Sequence, residues 1–120
     1  MNADNSGTTA TVCYRNHATD EMFVAHCGDS RAILITEDKM GNIRGIELTP
    51  DHKPNLPAEK ERIESSGGYV HYKKDGSIRV AKDGFCIGLN MSRAIGDLIG
   101  NREAGITEIP DVKVIDINIM

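Results

Sequence analysis

Short apolar stretches separated by turn residues run along most of the chain. In residues 8–14, Val12 and Tyr14 share one side and alternate with polar positions, which is the two-residue period of a half-buried strand. Residues 22–25 and 32–35 are apolar at almost every position, as in strands covered on both faces. The pattern therefore predicts a packed sheet in the first third of the chain.

Turn residues suggest how these strands connect. Gly28-Asp29-Ser30 separates the two apolar runs and predicts a tight hairpin, with Asp29 at the tip of a loop between rigid strands. Such a loop suits a functional group because the sheet fixes it while its polar side chains stay accessible. Asp75-Gly76 predicts a second hairpin between residues 69–72 and 77–80.

The sequence of the second half of the chain predicts one helix and no other long helix or strand before residue 100. Pro57 suits the first helical position, and Gly67-Gly68 suits a left-handed cap, so we expect a surface helix near residues 57–66 whose charges form a solvated face. Glycines interrupt residues 82–100 and leave room for one helical turn at residues 91–95.

Two further strands are expected outside these elements. One covers residues 43–48 and is weakened by Gly45, and the other covers residues 112–119, with Ile115, Ile117 and Ile119 on one face.

Charge and cysteine content narrow the classes of partner and compartment. Lys and Arg number 14 against 18 Asp and Glu, for a formal net charge of −4, so the chain has no basic field for nucleic acid or anionic lipid. We therefore expect no nucleic-acid or membrane partner. The three cysteines are widely spaced with no CxxC pair, which favours a reducing compartment, and a cytoplasmic or nuclear location is expected.

A series of short motifs gives the most specific information about the protein family. In chain order they are Ser6-Gly7-Thr8-Thr9-Ala10, Ala25-His26-Cys27-Gly28-Asp29-Ser30-Arg31-Ala32, Leu48-Thr49-Pro50-Asp51-His52-Lys53-Pro54, Glu59-Lys60-Glu61-Arg62-Ile63, Gly67-Gly68, Ser92-Arg93-Ala94-Ile95-Gly96-Asp97 and Ile109-Pro110-Asp111-Val112. In this order and spacing they closely resemble the metal-dependent type 2C serine/threonine protein phosphatases. The resemblance runs from about residue 6 to residue 118.

The resemblance implies a fold and an activity. The expected fold is α+β and forms part of a β-sandwich flanked by helices, with mostly antiparallel strands. Residues 1–120 would be the central portion of a single catalytic domain, and residues 51–82 its mobile flap beside the cleft. Family members hydrolyse phosphoserine and phosphothreonine of phosphoprotein substrates with water activated by Mg²⁺ or Mn²⁺.

The same resemblance assigns candidate site residues. Asp29 matches an aspartate that helps to hold an additional metal ion, with an ordinary turn aspartate as the alternative. Thr9 matches a possible catalytic position near the metal-bound water, although a strand threonine bonded to backbone explains it equally well. The remaining matched residues are expected to have structural roles near the site, with Asp97 able to accept from loop amides; they are Gly28, Ser30, Arg31, Ser92, Arg93 and Asp97.

The sequence also departs from the family. An acidic pair, an Asp-Gly-His-Gly segment, later Asp-Gly and Asp-Asn segments and a phosphate-binding arginine supply most of the family's site, and none of them is matched here. We therefore expect a chain that is inactive alone and that self-associates through uncovered strands. The alternative is a non-catalytic pseudophosphatase or a partner-binding module.

Overall fold

The computed structural model describes residues 2–119, with side chains for residues 2–118. The elements are β1 (Gly7–Thr8), β2 (Ala10–Asn16), β3 (Glu21–Cys27), β4 (Ile33–Glu37), β5 (Ile43–Glu47), α1 (Pro57–Ser65), β6 (Tyr69–Tyr72), β7 (Ile78–Ala81), β8 (Ile95–Gly96), α2 (Leu98–Ala104), β9 (Asp111–Asp116) and a 3₁₀ turn (Ile117–Ile119). All the named strands pair antiparallel, in the orders β1-β8, β2-β3-β9, β4-β5 and β6-β7. The predicted α+β class with mostly antiparallel strands is confirmed.

The three-stranded sheet β2-β3-β9 has one covered face and one open face. Val24 on β3 is 1% exposed and marks the covered face. Residues that pair across a sheet share a face, so the pairs of Val12 with Ala25 and of Tyr14 with Phe23 lie on the other side, with Val112 and Val114 beside them. Both β9 valines and both β2 residues are more than half exposed. The apolar side of β2, predicted to be half-buried, is therefore largely open to solvent.

The predicted hairpin around Asp29 is wrong. β3 pairs with β2 and β9, whereas β4 pairs with β5, so the two strands belong to different sheets. The chain leaves β3 at Gly28, whose φ of +113° lies outside the conformations usual for other residues. From there the connection runs beside residues 48–52, because the Gly28 and Ala32 carbonyls accept hydrogen bonds from the His52 and Leu48 amides.

The helix and the hairpin of residues 57–81 are as expected. Helix α1 begins at Pro57 and is followed by Gly67, which has a φ of +90° and donates to the Glu64 carbonyl. The β6-β7 hairpin turns through Gly76, with a φ of +87°. The main core lies between these elements and α2, and its fully buried members are Ile63, Val80, Ala94, Ala104 and Ile106.

Three details differ from the sequence-based expectation. Residues 91–95 form no helical turn, because the Ser92 and Ala94 amides bond to distant carbonyls in an extended segment. Helix α2 was not predicted, since Gly100 lowers helix propensity by about 1 kcal/mol. In the fold a side chain at Gly100 would press on Ile106, with its Cβ 2.7 Å from Cδ1.

The last predicted strand is shorter than expected. β9 ends at Asp116 and a 3₁₀ turn follows, while the side chain of Ile119 lies outside the described part of the chain. Neither α1 nor α2 has the length and apolar content needed to cross a membrane.

Candidate functional site

The loop that carries Asp29 is held by side chains of the neighbouring connection. Asp51 accepts two hydrogen bonds from the Arg31 guanidinium, at 2.8 and 3.0 Å, and these bonds lower the pKa of the Asp51 carboxyl. Lys53 Nζ donates to Asp29 Oδ2 at 2.8 Å and to the Asn90 carbonyl at 3.1 Å. The Asp29 carboxylate is therefore fixed by an ion pair within the chain.

His52 lies between Asp51 and Lys53 in the chain and is hydrogen-bonded to both the amide and the carbonyl of Gly28. The Gly28 amide donates to His52 Nδ1 at 2.9 Å, and the His52 amide donates to the Gly28 carbonyl at 3.0 Å. Because Nδ1 accepts, the ring proton of neutral His52 lies on Nε2, which donates to Asp111 Oδ2 at 2.8 Å. Burial lowers the pKa of His52, so the neutral ring keeps the acceptor that Gly28 needs. Residues 51–53 thus form a clasp on residues 28–31.

Thr9 packs against the opposite side of this loop. A side chain at Gly28 would place its Cβ 2.4 Å from Thr9 Cγ2, so only glycine allows the close approach. The hydroxyl groups of Thr9 and Ser30 are hydrogen-bonded at 2.7 Å. Thr9, which precedes β2, is therefore brought against Gly28 and Ser30 in the connection that follows β3 and carries Asp29.

A buried charge cluster lies beneath the first turn of α1. The Glu59 carboxylate accepts from Arg93 Nε at 2.7 Å, from Arg62 Nη1 at 2.8 Å and from the Ser92 hydroxyl at 2.7 Å. Burial raises the pKa of Glu59, but the three donors outweigh burial and lower it to about 2. The Glu59 side chain is only 4% exposed. The expectation that the charges of this helix form a solvated face is wrong for Glu59.

The charge cluster is connected to the clasp. Arg93 Nη1 donates to the Ile109 carbonyl at 3.0 Å and to Asp111 Oδ1 at 3.1 Å. The other oxygen of Asp111 accepts from His52, and this bond lowers the pKa of the Asp111 carboxyl. An unbroken path of hydrogen bonds therefore runs from Glu59 in α1 to the backbone of the Asp29 loop.

Potential metal-ligand atoms of His26, His52 and Asp111 lie within 4.8 Å of one another. The two rings are stacked, with centroids 4.2 Å apart and planes 4° from parallel, so their in-plane lone pairs cannot point at one ion. Both His52 nitrogens are used by Gly28 and Asp111, and His26 Nε2 donates to the Pro50 carbonyl at 2.8 Å. The arrangement fits two hydrogen-bonded histidines better than a metal centre.

Asp29 by itself does not form a cation site. Mg²⁺ and Mn²⁺ prefer about six oxygen ligands in near-octahedral geometry. Within residues 2–119, no group of three or more candidate ligands includes Asp29, and its carboxylate is paired with Lys53. The residues present therefore do not fit a complete centre for these ions.

Asp97 lies apart from the clasp. It precedes α2 in a left-handed conformation (φ 45°, ψ 51°), and its side chain caps no amide of that helix. Contrary to the expectation from its motif, the Asp97 carboxylate accepts no hydrogen bond from the loop amides of the described chain. It shares a cleft with Thr9 instead.

Several key residues were not assigned roles from the sequence: His52, Lys53, Glu59, Arg62 and Asp111. Each lies in one of the ordered motifs, and this position in a motif is the feature of the sequence that could have identified it. The motifs do not show which residues pair, because the partners are far apart in the chain.

A family model described as Protein phosphatase 2C matches residues 1–119. The chain belongs to the protein phosphatase 2C family. It is 43% identical over 110 residues to Probable protein phosphatase 2C 12 of Oryza sativa subsp. japonica, covering 89% of this chain and 28% of that protein. With Probable protein phosphatase 2C 73 of Arabidopsis thaliana it shares 44% identity over 110 residues, covering 89% and 29%.

Solved structures agree with this assignment. The crystal structure of a serine-threonine phosphatase 2C from Toxoplasma gondii superimposes with a TM-score of 0.73 at 30% identity, over 82% of this chain and 34% of that one. This similarity confirms the predicted phosphatase 2C type of sandwich fold. The chain spans less than a third of the length of the two relatives named above.

Proposed function

We propose that this chain is the central portion of the catalytic domain of a phosphatase that hydrolyses phosphoserine and phosphothreonine in proteins. The observation that carries the proposal is the clasp of residues 51–53, which fixes the Asp29 carboxylate in the loop whose next residue, Ser30, is hydrogen-bonded to Thr9. A ligand contributed to a larger Mg²⁺ or Mn²⁺ centre needs such a fixed position. Residues 51–82 are then the flap, and the expected location is cytoplasmic or nuclear.

The isolated chain is proposed to be inactive. Asp29 is a single carboxylate paired with Lys53, and the other ligands of a hard divalent ion must come from outside residues 2–119. The Asp29–Lys53 pair also favours the second candidate, a non-catalytic module, because a carboxylate already neutralised by lysine needs no metal ion.

A chimaera tests the proposal and separates the two candidates. We expect this chain, substituted for the matched 110 residues of the Arabidopsis relative, to support Mn²⁺-dependent phosphate release from a phosphothreonine peptide. Asp29→Asn in the chimaera should lower that rate by about 10–100-fold, the scale seen when groups supporting a metal site are removed. The isolated chain should release no phosphate, and EDTA should abolish release by the chimaera.

The matched control is Asp20→Asn, in an exposed turn where the carboxylate pairs with Arg15. Asparagine tolerates the positive φ of this position, so activity should be unchanged. A folded but inactive chimaera would favour the non-catalytic module. Full activity of the Asp29→Asn chimaera would refute the role of Asp29.

Self-association of the isolated chain is proposed to use the open face of the sheet β2-β3-β9. Exposed apolar faces of this kind recruit other surfaces. Size-exclusion chromatography with light scattering should show a dimer or larger species at high concentration, and Val114→Lys should shift it to monomer. Ile35→Lys, on the separate β4-β5 sheet and 72% exposed before substitution, should have little effect. A clean monomer of the unmodified chain would contradict this prediction.

A further inference from the structure

The carboxylate of Asp97 opens into two adjoining clefts that the clasp and the charge cluster do not use. The larger has a volume of about 430 Å³ and lies between residues 5–9 and the segment of Leu89 and Met91. The smaller, about 290 Å³, lies on the side of α2. Asn5, Leu89 and Asp97 line both clefts. The volume of the larger cleft is within the range of small-ligand sites. Asp97 lies where the two clefts meet.

Asp97 lacks a partner in the described part of the chain. The residue is 9% exposed, yet its carboxylate forms no hydrogen bond and no ion pair with residues 2–119. The carboxylate oxygens are not sealed from solvent, but partial burial disfavours the charged form and raises the pKa of the Asp97 carboxyl. A cation bound in the clefts would offset the cost of this partial burial.

The backbone around Asp97 keeps the carboxylate in place. Its amide donates to the Ser6 carbonyl at 2.8 Å, and its carbonyl accepts from the Asn101 amide at 2.9 Å. A Cβ on Gly7 would lie 2.0 Å from Asp97 Oδ2, so glycine there leaves room for the carboxylate. The side chain is therefore held in the cleft by residues 6–7 and α2.

The walls of the larger cleft indicate the chemistry of the missing partner. Leu89 and Met91 supply apolar surface on one side, while the amide of Asn5 and the hydroxyl of Ser6 make no hydrogen bonds with the described residues. A divalent ion needs several charged oxygens, and Asp97 is the only carboxylate of this cleft. A single carboxylate with neutral acceptors and an apolar wall fits an organic cation with an aliphatic stem.

We propose that this cleft binds an alkylguanidinium or alkylammonium group, with Asp97 as its counter-ion. The charged head pairs with the carboxylate, Asn5 and Ser6 accept from its remaining N–H groups, and the stem lies on Leu89 and Met91. The ligand is an arginine or lysine side chain of a peptide, or a free alkylamine of the same chemistry. The site does not depend on catalysis by the chain.

Titration of the isolated chain followed by amide NMR tests the site. The probes are agmatine and the tripeptide acetyl-Ala-Arg-Ala-amide, and the neutral control is the same tripeptide with citrulline. We expect saturable shifts at residues 5–8 and 97 with both cationic probes and none with citrulline. Binding of agmatine alone identifies a free amine as the ligand, whereas binding of the tripeptide identifies a peptide side chain.

Two variants locate the charge that binds. Asp97→Asn keeps the size of the side chain and tolerates the left-handed backbone, and it should weaken binding at least 10-fold. Asp4→Asn, which removes the other carboxylate that lines the smaller cleft, should change binding less than twofold. An equal loss with Asp4→Asn would overturn the assignment to Asp97.

A measurement on the unmodified chain covers the case in which Asp97→Asn fails to fold. Carboxyl ¹³C shifts followed against pH should show that saturating agmatine lowers the pKa of Asp97. The absence of saturable shifts with either cationic probe, equal binding of citrulline, or an unchanged Asp97 titration would overturn the proposal.

Discussion

Replacing Glu59 with alanine should lower the free energy of unfolding by about 3–5 kcal/mol, the cost of removing one partner from a buried ion pair. Glu59 accepts from both Arg62 and Arg93 and from the Ser92 hydroxyl, and its side chain is 4% exposed. The alanine variant would remove the buried carboxylate that lies between two guanidinium groups. Arg62 would keep only backbone carbonyl acceptors, and the Ser92 hydroxyl would lose its carboxylate acceptor. Because small domains are stable by only about 5–15 kcal/mol, this loss would be a large share of the total free energy of unfolding.

Urea denaturation followed by circular dichroism measures this change. Glu61→Ala is the matched control, since Glu61 lies on the same helix and is exposed, and it should alter stability by less than about 0.5 kcal/mol. Glu59→Gln should fall between the two, because the amide retains one acceptor but loses the charge. Equal stabilities for Glu59→Ala and Glu61→Ala would show that the buried cluster is not a stabilising feature.

The pKa of Glu59 adds a pH dependence of known sign. The carboxyl titrates near 4.5 when exposed and near 2 in the fold, so folding favours the charged form. The stabilisation is fully present above pH 4.5 and is lost as the pH falls towards 2, for a total of about 3 kcal/mol. Acid unfolding in this range should be steeper in the unmodified chain than in Glu59→Gln.

Replacing His52 with phenylalanine should have the second-largest effect, a loss of about 2–4 kcal/mol from one buried and one partly buried hydrogen bond. Phenylalanine keeps a ring beside His26 but offers no acceptor to the Gly28 amide and no donor to Asp111. The loop of Asp29 should loosen, because the Gly28 amide would be left without a partner.

Hydrogen exchange of the Gly28 amide measures the loosening directly, and thermal unfolding measures the loss of stability. His52→Asn should partly restore protection, since its side-chain oxygen can replace Nδ1. His71→Phe, at an exposed position of β6, is the control and should change neither quantity. Unchanged exchange at Gly28 in His52→Phe would show that the clasp does not hold the loop.

The pKa of His52 predicts a second pH effect. Burial lowers this pKa in the fold, so folding favours the neutral ring and the unfolded chain binds the proton more tightly. The corresponding stability is present above pH 6.5 and is lost as the pH falls below that value. The stability difference between the unmodified chain and His52→Phe should therefore shrink between pH 7 and pH 5.

The ends of helix α1 and the β6-β7 turn could be predicted from the residues at those positions. Pro57 and Gly67 determine the ends of α1, and Asp75-Gly76 determines the β6-β7 turn, because these residues restrict or widen the backbone angles of their own positions. Helix α2 could not be found in the same way. Its Gly100 is unfavourable for a helix in isolation and is accepted only because Ile106 packs against it.

The candidate site shows the same contrast between what local sequence predicts and what tertiary packing decides. The ordered motifs by themselves determined the family, and with it Asp29, Thr9 and the other candidate residues, since motif order is a property of the sequence. Only the tertiary structure decided what those residues contact. Asp29 meets Lys53, and Glu59 turns inward to Arg93, because pairing across 24 and 34 positions depends on how the sheets and α1 pack rather than on any local pattern.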